Sequence, residues 1–387
     1  MAGVTVRFGI WEPKKRKAWF LGNDAFEAAI LPGGGHIASI ALKHGPGAGI
    51  NPLWEVPWPS MEPADFVAER DLADYGGPPE GRLLASIMGH NLCMDYFGAP
   101  SKEEESAGWV VHGETSISTW DFKDMKTPDG GGGITAELIL PNAKLKVRRT
   151  LTLNSDGPVL RVETTVTNIG GKSHEYGWQE HATFGPPFLE KGVTAFDMGA
   201  KWGITDPVPF AKRHRLKPAL PFTWPVAPGA DGRPVDLRVY PGGPPSGDFT
   251  AQLMDETREY AWFTAINPKL NLLAGYAWKR SDYPWLGNWE ESYDRSAKPW
   301  SDQTLTRGLE FGLSPFAHGR ARMQALQSLH NTPVLGKLEP GESRKAVFHA
   351  FVAGLKEKSA GVREVSLKAG TVEIALSDGD RPITLKA

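Results

Sequence analysis

The sequence predicts an all-β chain, a large antiparallel β-sandwich, and three observations carry that expectation. Apolar and polar residues alternate with period two through much of the 387 residues, as in strands with one buried face. Its 44 Gly and 32 Pro exceed average shares of about 7% and 5%, and they fall between the alternating segments as turns. Helical periodicity is scarce, and strands joined by β-to-β turns exclude a βαβ fold.

Taken in order, residues 4–8, 26–31 and 37–42 read as the first strands, with Gly33-Gly34-Gly35 as a tight turn between the last two. The best helix candidate, 63–74, has a usable start and no apolar stripe. Residues 129–133 read as a loop tip, and 145–153 with 159–167 form a clean strand pair across the turn 154–158. Later strands are expected at 235–240, 260–266, 270–278, 305–311 and 346–353. Short β segments at 362–367, 372–376 and 383–386 close the chain. The expected organisation is one sandwich domain over 1–354. Residues 355–387 form a β tail packed on it, as an extra edge or an oligomer contact. Two long stretches, 51–82 with Trp54 and Trp58, and the Pro-rich 205–233, interrupt the strand rhythm; loops of that length on a rigid sheet carry function or lack order.

Composition narrows the chemistry. A net charge of −2 gives no basic field for a nucleic acid or an anionic membrane. Cys93 is the only cysteine, which excludes intrachain disulfides and multi-cysteine zinc sites. With no signal-like start and no apolar run long enough to span a bilayer, the expected location is the cytoplasm. No Walker loop, GxGxxG before a helix, HExxH or GxSxG occurs, so neither a cofactor nor a metal is expected. His90 and Cys93 lie three apart without further ligands at metal-site spacing. Glu103-Glu104-Glu105 reads as a solvated charge run. The 14 Trp serve either core packing or stacking on the C–H faces of sugar rings.

Three ionisable residues stand among apolar and aromatic neighbours that read as strand: His112 in Trp109-Val110-Val111-His112-Gly113, His181 in Trp178-Gln179-Glu180-His181-Ala182-Thr183-Phe184, and Glu310 in Gly308-Leu309-Glu310-Phe311-Gly312. Such groups cost free energy unless paired or used. Alone, each histidine is better explained by a hydrogen-bonded core position.

The order of these pieces resembles the aldose 1-epimerase (galactose mutarotase) superfamily. Residues 28–40, running Ala28-Ala29-Ile30-Leu31-Pro32-Gly33-Gly34-Gly35-His36, are similar to its opening strand and glycine turn. His112-Gly113 followed by Trp120 resembles its His-Gly segment, and Asn168-Ile169-Gly170 followed by His181 and Phe184 resembles a further strand pair. Leu309-Glu310-Phe311 and Leu338-Glu339-Pro340-Gly341-Glu342 resemble its last two motifs. Each is short; together they run collinear over about residues 25–353.

The resemblance implies a β-supersandwich with a sugar site on the concave face of one sheet and a small-molecule carbohydrate as partner. It implies Glu310 as the base that takes the anomeric hydroxyl proton and His181 as the acid on the ring oxygen, facing one ring from opposite sides. His112 would bind the sugar. The family's sugar-binding arginine would fall near residues 89–92, where none stands, so His90 or Asn91 would replace it, and Asp248 matches the family's substrate-binding aspartate loosely. Trp289 and Glu290 would stack on and hydrogen-bond the ring, while Pro186-Pro187 departs from the family pattern. Three functions stay open: an epimerase, a lyase or hydrolase on the same scaffold, and a non-catalytic sugar binder. An open groove would suit a larger substrate, and segment 51–82 folded over the site would cap it.

Overall fold

Alternation resolves into two packed sheets in the computed structural model, which describes residues 3–127, 130–379 and 381–387. Among the described residues the larger sheet has fourteen strands. Its centre runs His36–Leu42, His90–Asp95, His174–Phe184, Leu305–Gly312, Trp285–Ser292, Ser246–Met254, each antiparallel to the next. The second sheet has eight, with Tyr260–Asn267, Leu272–Lys279, Ser343–Gly354, Val159–Asn168 and Leu145–Leu153 at its middle. Between the sheets lies a core that includes Trp178, Phe184, Phe263, Tyr276, Trp278, Phe311 and Phe348, with Trp278 stacked on Phe311 at 4.3 Å.

The central strands of the larger sheet are buried on both faces. One face joins that core; the other carries a second cluster with Trp54, Trp58, Phe97, Phe249, Trp289 and Trp300. This explains why alternation did not reveal Ser246–Met254 and Trp285–Ser292, whose residues are all buried: a strand covered on both faces has no polar face to alternate with. Val362–Lys368, Thr371–Leu376 and Ile383–Lys386 form a separate three-stranded sheet. Its Val365, Val372 and Ile374 pack on Trp262, Ile266, Leu273 and Phe351 at the outer face of the second sheet.

Several expectations need correction. The helix expected over 63–74 is two fragments, a 3-10 turn at Pro63–Asp65 and one α turn at Ala68–Asp71. The charge run is not merely solvated. It lies in the helix Lys102–Ser106, capped reciprocally by Ser101 and Glu104, and Glu104 also reaches Arg320 Nε at 3.0 Å. An eight-residue helix, Gly319–Leu326, follows the Glu310 strand. His112 sits on a turn at φ 63° rather than on a strand. The loop tip expected at 129–133 lies partly outside the described residues; the flanking strands Lys123–Lys126 and Gly132–Leu140 do pair.

One buried charge network ties the sheets together. Arg149 of the second sheet donates to both oxygens of Glu180 in the larger sheet, each at 2.9 Å. Trp178 Nε1 donates to the same carboxylate at 3.2 Å, and His90 Nε2 lies 2.9 Å from it. Burial pushes the Glu180 carboxyl up, but the Arg149 charge and the bonds from His90 and Arg149 outweigh it and bring it down to about 2. Removing one partner of such a pair strands the other. Arg149→Met should therefore lower stability by about 3–5 kcal/mol in urea unfolding, with part of the loss recovered in the Arg149→Met/Glu180→Gln double variant.

A second buried group predicts an acid-side slope. Burial, aided by the Arg16 charge, brings His36 down to about 3. Between that value and the ordinary histidine range near 6.5, the unfolded chain holds a proton that the folded chain does not. Its contribution is thus complete above pH about 6.5 and is lost as pH falls toward 3. His36→Gln should flatten the pH dependence of unfolding free energy in that window by up to about 1.4 kcal/mol per pH unit.

Candidate active site

The same alternation that sends Trp178, Glu180 and Ala182 inward turns His181 and Thr183 to the concave face. Antiparallel register sets His181 directly opposite Glu310, and Glu310 directly opposite Gly287. His181 Nε2 and Glu310 Oε1 are 3.0 Å apart, and His181 Nδ1 lies 2.9 Å from Thr183 Oγ1. Glu310 Oε2 is buried and has no hydrogen-bond partner. Glycines keep the space around this carboxylate open: a Cβ at Gly308 would stand 2.5 Å from Oε1, and one at Gly287 would stand 3.2 Å from Oε2.

The pair faces a cavity of about 580 Å³, within the size range of small-ligand sites. His112 stands beside it, its ring stacked on Phe97 at 5.2 Å and meeting His181 edge-on at 5.4 Å. The Gly98 N–H donates to His112 Nδ1 at 3.1 Å. Burial, with the charges of His181 and Arg295, holds His112 well below the usual histidine range. The neutral ring therefore carries its proton on Nε2, where it is a donor. The left-handed backbone at His112 costs free energy for a β-carbon residue. It is locked by the His112 N–H bond to Gly98 O and by Gly113, where a Cβ would meet Met94 O at 2.0 Å.

Of the other residues singled out from the sequence, Trp289 lines the cavity, edge-on to His181 at 5.9 Å. The rest do not. His90 points into the core between the sheets, bound to Glu180 and stacked on Phe348. It is one residue out of phase with the concave face. Asn91 has the right phase, opposite His181, but it does not line the cavity, and its amide nitrogen donates to Ser116 Oγ at 3.1 Å and Cys93 Sγ at 3.5 Å. Asp248 and Glu290 pair across strands next to Phe249 and Trp289, so they face the opposite way. Arg215 takes both: its Nε donates to Asp248 at 2.8 Å and its other arm reaches Glu290. Burial, only partly offset by Arg215, raises Asp248 to about 6. These two carboxylates anchor the Pro-rich segment instead of a sugar.

That segment supplies the cap. Val208, Pro209 and Phe210 line the cavity, and Asp206 meets His318 Nε2 at 2.8 Å. Segment 51–82, the expected cap, contributes Trp54 and Trp58 to the aromatic pile around Trp289 and Trp300; of its residues only Glu80 lines the cavity. Sequence reasoning missed Arg295, Trp300, His318 and Arg320, all in the wall. They sit on turns and on the helix start after the strands carrying Trp289 and Glu310, where no periodicity indicates direction. Their signal was adjacency to those two strands. Among the described residues no group of three or more His, Cys, Asp or Glu is placed to hold a metal.

Known structures share this fold. A candidate aldose 1-epimerase from Klebsiella pneumoniae superposes with a TM-score of 0.64 at 16% identity, over 91% of this chain and 84% of that one. A galactose mutarotase-like protein from Clostridium acetobutylicum gives 0.58 at 14% identity, over 91% and 99%. A galactose mutarotase related enzyme from Lactobacillus acidophilus gives 0.55 at 12%, over 88% and 99%. The chain thus has the galactose mutarotase-like fold, the one its motifs resemble. No protein-family model and no curated protein sequence matches it. Among the described residues no helix is long and apolar enough to cross a membrane.

Gly308→Ala tests the floor of the cavity. The atom its Cβ meets is the tip of Glu310, so the fold should survive with a melting temperature within a few degrees of wild type. The 3.0 Å contact should break, which the His181 ring resonances in nitrogen-15 NMR would report.

Proposed function

We propose that this chain binds a monosaccharide or a close derivative and interconverts its α and β anomers by opening and closing the ring. The observation that carries the reading is the His181–Glu310 pair, 3.0 Å apart on the floor of an aromatic-walled, capped cavity. An acid and a base on opposite sides of the ring were the expectation; here they are cross-strand neighbours on one sheet face. The chemistry tolerates this. The anomeric oxygen and the ring oxygen are bonded to the same carbon, so they lie closer together than His181 and Glu310 do. A sugar presenting that edge to the pair meets both groups.

As the imidazolium, the form that can give up a proton and become a neutral ring, His181 donates from Nδ1 to Thr183 Oγ1 and from Nε2 to Glu310. An entering sugar replaces that internal bond. Glu310, through the otherwise unpartnered Oε2, takes the anomeric hydroxyl proton while His181 Nε2–H passes its proton to the ring oxygen. The C1–O5 bond breaks and C1 becomes an aldehyde. Rotation about C1–C2 and the reverse transfers close the other anomer, with no net change in protons. His112 Nε2–H donates to a sugar hydroxyl, and Trp289 offers an apolar face to the ring. Each proton-transfer group typically contributes about 10²- to 10⁴-fold.

The test is NMR exchange between anomers over a panel of aldoses. Wild type should accelerate exchange for at least one sugar, and Glu310→Gln should lose about 10²-fold or more of the rate while retaining sugar binding. Folded wild type with no acceleration for any sugar overturns the reading.

A further inference from the structure

Arg295 stands in the wall of the same cavity and has no part in the proton transfers above. It leaves the strand Trp285–Ser292 through a tight turn organised by Glu291, whose carboxylate accepts the backbone N–H of Asp294 at 2.7 Å and of Arg295 at 3.1 Å. Glu291 also faces Arg295 Nε at 3.3 Å. Three aromatic rings then box the guanidinium: its carbon lies 4.4 Å from the Trp300 centroid, 4.9 Å from Phe210 and 5.7 Å from Trp289. Glu291 and the rings orient the side chain, yet among the described residues its guanidinium nitrogens donate no hydrogen bond. The other arginines of the wall differ. Arg320 is committed to Asp95 and Glu104, each at 3.0 Å, and Arg322 is exposed.

A planar fork held from behind by a carboxylate and from the sides by aromatic faces, with its terminal nitrogens open, matches a planar or tetrahedral oxyanion. Its charge also reaches the chemistry, since it helps keep His112 neutral. A neutral hydroxyl would satisfy one donor; an anion satisfies two and balances a cation partly desolvated by aromatic walls. We propose that the sugar held in this cavity carries a carboxylate or phosphate on an exocyclic carbon, and that Arg295 binds that group. The inference rests on the sugar reading above for the remainder of the ligand.

Glucose, glucuronate and glucose 6-phosphate distinguish the possibilities, each measured for calorimetric binding and for NMR anomer exchange with wild type, Arg295→Gln and Arg295→Lys. At least one anionic sugar should bind about tenfold or more tightly than glucose, and Arg295→Gln should remove that advantage. Arg295→Lys should keep part of it, since it retains charge without the fork, and it controls for a folding defect in the Gln variant. Which anion wins separates carboxylate from phosphate. Equal binding of all three, binding of none, or an anion preference that survives Arg295→Gln overturns the proposal. The two readings fail separately: Arg295-dependent anion binding without anomer exchange removes the epimerase and keeps this inference. Exchange of glucose without anion preference does the reverse.

Discussion

The bidentate bond between Arg149 and Glu180 is the constraint on which the site depends. It crosses from one sheet to the other between two fully buried side chains, so it tolerates little displacement. Strand geometry then propagates that anchoring. If Glu180 faces the gap between sheets, His181 must face the concave side, because successive side chains point to opposite faces. A slip of one residue would exchange them, leaving a carboxylate in the cavity and an imidazole against Arg149. The antiparallel partner, Leu305–Gly312, obeys the same rule: Phe311 enters the core, and Glu310 rises beside His181.

Burial on both faces of the larger sheet has a second consequence. The concave side is an aromatic layer, formed by Phe97, Phe249, Trp289 and Trp300 around the polar pair. In that setting a neutral His112 and a partly unsatisfied Glu310 persist only because each retains a partner: Gly98 N–H for one, His181 for the other. Glycines at 287 and 308 leave the room that any larger residue would fill. Polar groups are thus concentrated where a ligand can complete their bonding, which is the arrangement of a site prepared for polar occupants.

Ion pairs tie the cap to the sheet, beside a small apolar cluster of Leu216, Phe222, Ala227 and Leu237. Arg215 pins the Pro-rich segment to Asp248 and Glu290, Arg213 pins it to Asp294 at 2.6 Å, and Asp206 joins it to His318. Residues that a motif reading would offer to a sugar therefore serve the wall that encloses it. The difference is one of phase: Phe249 and Trp289 look into the cavity, and their neighbours Asp248 and Glu290 look away.

How much was legible beforehand follows from what each signal reports. The strand Leu145–Leu153 was readable to the residue, because a half-buried strand writes its exposure pattern into its composition. His181 and Glu310 were found from collinear motifs and Trp289 from an aromatic run outside them, and they converge on one cavity. The facing of His90, Asp248 and Glu290 was not readable. Their strands are covered on both sides, so apolar neighbours give no hint of which layer a polar residue enters. Arg295, His318 and the capping segment were invisible for another reason. They lie on turns and loops whose direction is set by ion pairs between residues up to 112 apart. Local chemistry specified many of the strands, and collinear motifs singled out His181 and Glu310; only the packing of distant segments decided which polar side chains share their cavity, since long-range charge pairing and double-sided burial leave no periodic trace along the chain.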